Sequence, residues 1–177
     1  VTTAGDYAVG LFASSSGDAA YVTSIGNITT SGDNANGIAA YGAAYVKVIS
    51  VGNISTKAND TEAIIAVSEN ESVKVSVSGT LSTAGGDADG IFAYAQDNSA
   101  EVVAQGLIQV TGLDSVGINA FGKEEIEVDA ENVRATGKDG YAISAISDTS
   151  TAAVTVRGSV LGGYDGGKGG GHKQGGA

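Results

Sequence analysis

The stretch Ile28-Thr29-Thr30-Ser31-Gly32-Asp33-Asn34-Ala35-Asn36-Gly37-Ile38-Ala39-Ala40 has a second full copy in Leu81-Ser82-Thr83-Ala84-Gly85-Gly86-Asp87-Ala88-Asp89-Gly90-Ile91-Phe92-Ala93. Outward from these two segments the chain repeats at an offset of 27 residues, with lapses to 25 or 26. Three anchors recur. The first is a small residue, an aliphatic, any residue, then Ala: Gly10-Leu11-Phe12-Ala13, Gly37-Ile38-Ala39-Ala40, Ala63-Ile64-Ile65-Ala66, Gly90-Ile91-Phe92-Ala93, Gly117-Ile118-Asn119-Ala120 and Ala142-Ile143-Ser144-Ala145. The second is a column of valines, Val22, Val48, Val75, Val102, Val128 and Val154, with Ala, Val or Ile two positions earlier. The third is Gly, any residue, then an aliphatic, as in Gly26-Asn27-Ile28, Gly52-Asn53-Ile54 and Gly79-Thr80-Leu81. In the fifth copy this anchor reads Asn132-Val133, one residue shorter. Asn is the non-glycine residue that best tolerates positive φ, so the exchange predicts a left-handed corner at that column.

A period in this range specifies a solenoid or an array. Inside each repeat the apolar residues alternate with period two, as in Val73, Val75 and Val77, which is the pattern of strands. The three-and-four spacing of helical repeats is missing, and 27 residues are too few for a four-stranded propeller blade. The expected fold is all-β: a parallel β-helix of about six coils, with three short strands per coil joined at glycine corners. At the ~4.8 Å strand spacing, six coils make a rod roughly 30 Å long, filled by ladders of Ile, Val and Ala. The general rule for parallel crossovers predicts right-handed winding. Residues 1–161 are the expected repeat domain, and residues 162–177 a Gly-rich tail or connection.

Composition narrows the function. The 177 residues include no Pro, Cys, Met or Trp, a single His and 28 Gly. Without cysteine there is no disulfide framework, thiolate metal site or Cys nucleophile. His172 lies in the glycine-rich tail beside Lys168 and Lys173 and reads as solvated charge, which argues against a Ser-His-Asp triad. Twenty acids against nine bases give a net charge of −11, so nucleic acid and anionic membrane faces are poor partners. No run of about 18 apolar residues is present to cross a bilayer as a helix. The chain starts without Met or a signal peptide, which fits a mature piece or an excised fragment.

The two copies quoted above resemble the repeats of bacterial autotransporter passenger domains and, more loosely, other secreted β-helical exoproteins of Gram-negative bacteria. The resemblance covers residues 1 to about 160 and concerns repeat style rather than a catalytic signature. It implies a right-handed β-helix that is extracellular or exposed on the bacterial cell surface, often adhesive. No membrane barrel accompanies the array and no protease or lipase domain interrupts it, so the chain would be a segment of such a protein.

Two polar and apolar features stand out as candidate sites. Asp6, Asp33, Asp60, Asp87, Asp114 and Asp139 recur near one turn of each coil, the first five at intervals of 27. Carboxylates stacked about 4.8 Å apart repel by roughly 1 kcal/mol per neighbour in a watery dielectric. Asx-type turns, in which each carboxylate accepts backbone N–H bonds, offset this most simply; a column holding Ca²⁺ is the sharper alternative. The second feature is the outer face of the Ile-x-Ala strands. With Ile38 and Ala40 inward, Ala39 and Tyr41 face outward, and the outward columns contain Phe12, Tyr41, Ile65, Phe92, Tyr94 and Phe121. An apolar stripe of this kind marks a protein-contact surface. The outer positions of the valine strands, Lys47, Lys74, Glu101, Glu127, Asp129 and Arg157, are solvent types by contrast.

For catalysis, clustered carboxylates or a poised Arg and Lys would be needed, and the sequence shows single-file acids with Arg134 and Arg157 isolated. The expectation is a non-enzymatic protein without a cofactor: a rigid stalk or adhesin that contacts a host or cell-surface ligand. The alternative is a self-assembling extracellular fibre subunit that stacks coil on coil. A carbohydrate-active enzyme ranks third, to be revived by a cleft with converging acids.

Overall fold

The computed structural model describes residues 1–163, and among them every regular element is a β-strand. In chain order these are β1 (Thr2–Thr3), β2 (Leu11–Ser15), β3 (Ala20–Ile25), β4 (Ile28–Thr30), β5 (Ile38–Gly42), β6 (Val46–Val51), β7 (Ile54–Thr56), β8 (Ile64–Ser68) and β9 (Val73–Ser78). They continue as β10 (Leu81–Thr83), β11 (Ile91–Ala95), β12 (Ala100–Val110), β13 (Val116–Gly122), β14 (Ile126–Ala135), β15 (Tyr141–Ser147), β16 (Ala152–Val156) and β17 (Val160–Leu161). Each strand pairs in parallel with its equivalent one coil away, so the chain is a β-solenoid of about six turns. The three anchors map onto three walls. The Ile-x-Ala strands form one six-stranded sheet in the order β2-β5-β8-β11-β13-β15. The valine strands and the short Gly-x-aliphatic strands belong to a second, bent sheet of eleven strands.

The bend runs along the glycine column. Gly26, Gly52, Gly79 and Gly106 have φ between +118° and +130°, a conformation that side chains resist. Space closes the same position: a Cβ on Gly79 would lie 2.4 Å from the carbonyl oxygen of Gly52 in the adjacent coil. At β12 and β14 the valine strand and the third strand join into one continuous strand through this corner, so those coils have two strands rather than three. The left-handed corner expected at Asn132 is not there, since Asn132 is absent from the positive-φ residues. It pairs with Leu107 across a register shift, and the residue deleted from this shorter coil is the corner glycine. Asn132 instead serves as Asn27 and Asn53 do. Its Oδ1 accepts the Ser159 N–H at 3.0 Å, as Asn27 Oδ1 accepts from Asn53 and Asn53 Oδ1 from Thr80.

Inside, identical columns lie over one another. Ile38, Ile64, Ile91 and Ile118 form one fully buried ladder, and Ile28, Ile54, Leu81, Ile108 and Val133 a second. Burial of each such side chain contributes on the order of 1.5–3 kcal/mol. Buried hydroxyls tie the third strand to the turn after it: Thr83 Oγ1 donates to the Ala88 carbonyl at 2.8 Å and Thr56 Oγ1 to that of Thr61 at 3.2 Å. These bonds hold the Asp-bearing turn in place. The tail features Lys168, His172 and Lys173 lie outside the described residues.

Candidate functional site

The six-stranded sheet presents two outward columns, set by its register. Phe12, Ala39, Ile65, Phe92, Asn119 and Ser144 align in one; Ser14, Tyr41, Val67, Tyr94, Phe121 and Ile146 align in the other. Alternation along each strand puts them opposite the buried Ile and Ala ladders. Phe12 is 65% exposed and Ile146 47%; Tyr41, Ile65, Phe92, Tyr94 and Phe121 are half-buried by their neighbours along the stripe. Ala39, although in the outward column, is buried, because a single methyl group sits between the larger Phe12 and Ile65. The rings pair diagonally across coils. Phe12 and Tyr41 have centroids 6.0 Å apart at 45°, and Phe92 and Phe121 6.1 Å apart at 47°, within the favourable range for tilted aromatic pairs.

Between Phe92, Tyr94, Phe121 and Ile146 the surface dips into an open depression with Gln96 and Asp148 on its rim. It encloses about 230 Å³, less than the ~300–1,000 Å³ of a pocket that engulfs a small molecule. The shape suits an extended partner laid across the sheet. A second depression, also of about 230 Å³, lies on the valine wall, where Ile49, Val51 and Val103 stand among Ser76, Ser78 and Gln105. That wall is therefore less uniformly charged than its Lys and Glu residues suggest, although Lys74 and Glu101 do pair across it at 2.6 Å.

The six aspartates do not form one column. Register aligns Asp6 and Asp33 with Asn59 and Gly86, whereas Asp60, Asp87, Asp114 and Asp139 align with Tyr7 and Asn34. The cause is a coil of 26 residues between Ile38 and its partner Ile64, which cancels the constant spacing of 27 at that point. In the first file, Asp6 Oδ1 accepts the Asp33 N–H and Asp33 Oδ1 the Asn59 N–H, each at 3.1 Å. In the second, Tyr7, Asn34 and the four aspartates all take φ between +50° and +60°, the left-handed region that Asn and Asp tolerate best. The Asx-type turns expected from the sequence are therefore not what forms: the first file bonds across to the next coil, and the second is marked by its left-handed backbone. Among the described residues no group of three or more acidic or His side chains is placed to hold a metal ion.

Two acids not singled out in the sequence lie closer to the stripe. Glu62 and Asp89 are register partners in the turns that enter β8 and β11. Burial raises both carboxyls above the usual range, with the neighbouring charges of Asp89 and Asp60 adding to the effect at Glu62 and that of Asp87 at Asp89. Tyr41 on the stripe is raised too, by burial first and then by the Glu62 charge. Asp89 accepts bonds from the Val116 N–H at 2.7 Å and the Asn119 Nδ2 at 2.9 Å. Two carboxyls in adjacent coils could in principle serve glycoside hydrolysis, but both Asp89 oxygens are already engaged in holding the next coil. The signal in the sequence was the alternation Asp60-x-Glu62 and Asp87-x-Asp89 just ahead of the Ile anchor, overshadowed by the more regular aspartates. The chain matches no family model, no curated protein and no solved structure.

Proposed function

We propose that this solenoid is a structural, surface-exposed or secreted rod, acting as a stalk or adhesin whose contact surface is the outer face of the six-stranded sheet. The observation that carries the reading is the aligned aromatic and aliphatic stripe from Phe12 to Ile146, over which no described strand packs. Contiguous apolar surface of this kind is costly to leave in water and marks an interaction site. A ladder-paired rod suits the role because each coil is held by its neighbours, so a partner meets a preformed surface with little ordering cost. The test is adhesion of protein-coated beads to epithelial cells and to extracellular-matrix films. The Phe92→Ser/Phe121→Ser variant should lose most adhesion while keeping its β-sheet circular dichroism; equal adhesion by the folded variant would overturn the reading.

Coil-on-coil assembly into a fibre is the second reading. It draws on the outermost strands, since among the described residues β1, β2 and β3 at one end and β15, β16 and β17 at the other each pair on one side only. Open edges are templates for further pairing, and head-to-tail contacts need not close. Sedimentation at micromolar concentration should then show oligomers or filaments, and a clean monomer would remove this reading.

A further inference from the structure

The six strands that carry the stripe contain no charged residue, yet the turns at their two ends are crowded with carboxylates. Of the protein's 20 acids, eight stand in the turns that enter this sheet and seven in the turns that leave it. Those turns hold only three lysines, Lys57, Lys123 and Lys138. Two of the three are already paired with acids of the same rows: Lys123 with Asp97 at 3.2 Å and Lys138 with Asp139 at 3.3 Å. The apolar stripe thus runs between two acidic rails, with Asp148 lining the depression beside Phe92, Tyr94, Phe121 and Ile146.

From this juxtaposition we infer that the stripe receives a cationic, extended polypeptide segment, one bearing apolar side chains together with Lys or Arg. The inference rests on the contact-face reading above and names the partner of that face. Geometry and charge both favour such an occupant. Six strands at ~4.8 Å extend about 24 Å along the rod, which about eight extended residues would cover at ~3.3 Å each. A strand of five residues spans ~17 Å, so long cationic side chains from a segment laid along the centre can approach either rail. Apolar side chains of the segment would enter the gap between Phe92, Tyr94, Phe121 and Ile146. The rails would raise the association rate and reject acidic partners, while the stripe would supply the affinity. A net charge of −11 alone would attract cations everywhere; confinement of the binding to this one face is what the test must detect.

Fluorescence anisotropy of the whole chain with three labelled peptides of about eight residues decides it. The probes are an alternating Lys/Phe-rich peptide with Ser and Gly spacers, its Lys→Glu counterpart and its Phe→Ser counterpart, with labelled cellohexaose titrated separately. The first peptide should bind at least about tenfold more tightly than either counterpart, and salt should weaken it as rail screening requires. Asp97→Asn/Glu124→Gln/Asp148→Asn on a rail should weaken binding several-fold, and Phe92→Ser/Phe121→Ser should do so with the charge unchanged. Glu101→Gln/Glu127→Gln/Glu131→Gln on the other sheet should leave it as it is. Equal weakening by the two sets of neutralised acids, binding retained by the folded stripe variant, or no binding of the first peptide overturns the inference. Stripe-dependent, salt-insensitive binding of cellohexaose alone would overturn it while leaving the contact face standing. Loss of stripe dependence in bead adhesion would overturn both.

Discussion

Asp33 and Asp60 are 27 residues apart and occupy the same kind of turn, but they do not stack. Asp60 stands over Asn34, and the carboxylate of Asp33 accepts the N–H of Asn59 at 3.1 Å. Asp33 therefore bridges one coil to the next, while Asp60 takes φ of +51° within its own turn. Two residues that look equivalent along the chain do different work, and substitutions should separate them.

Asp87→Ala should cost about 1–2 kcal/mol, because alanine enters the left-handed region that Asp87 occupies at φ +50° less readily than Asp or Asn does, while Asp87→Asn should be close to neutral. Tyr7 is held in the same conformation at φ +60°, so Tyr7→Asn should stabilise the fold by about 0.5–1 kcal/mol. Urea midpoints of the three variants check the pattern; an alanine variant as stable as the asparagine one would refute it.

Ile91 is fully buried between Ile64 and Ile118. An aspartate there places an unpaired carboxylate in an aliphatic ladder at a cost of several kcal/mol. Ile91→Asp should unfold the rod locally or entirely. A melting temperature within about two degrees of wild type, where ~1 kcal/mol moves a domain of this size by a few degrees, would contradict the ladder.

Burial holds the Glu62 carboxyl above its ordinary value, so the folded protein keeps that proton to higher pH than the unfolded chain does. Stability from this group is complete below the unfolded-state value and is lost as pH rises through the folded-state value. Glu62→Gln cannot ionise and should flatten this part of the profile, matching wild type in acid and exceeding it at neutral pH. The Tyr41 hydroxyl, raised in part by the Glu62 charge, should titrate at lower pH in the variant. Identical stability profiles from acid to neutral pH would show that the Glu62 charge is not costly in the fold.

Chelation should shift thermal stability only slightly, since the aspartates are divided between two files, one bonded across to the next coil and one marked by its left-handed backbone. A fall of about ten degrees or more in EDTA, reversed by Ca²⁺, would show linkage to a bound cation that neither file requires.

The sequence by itself determined the coil. Period-two alternation and a near-constant repeat of Ile, Val and Gly anchors are local properties, and stacking such units is the way their apolar faces become buried; hence the solenoid, its inward ladders and its outward aromatic columns were all legible. Tertiary structure decided which residues in different coils meet. Coils of unequal length pair by matching their buried Ile and Val columns, because burial outweighs a turn residue's position, so the slack falls in the turns. That is why Asp33 parts from Asp60, why the shorter fifth coil lost its corner glycine instead of exchanging it for Asn132, and why Ala39 is covered by its neighbours. The same pairing brought Glu62 beside Asp89 at the edge of the stripe and gathered the acids into two rails, neither of which any single repeat displays.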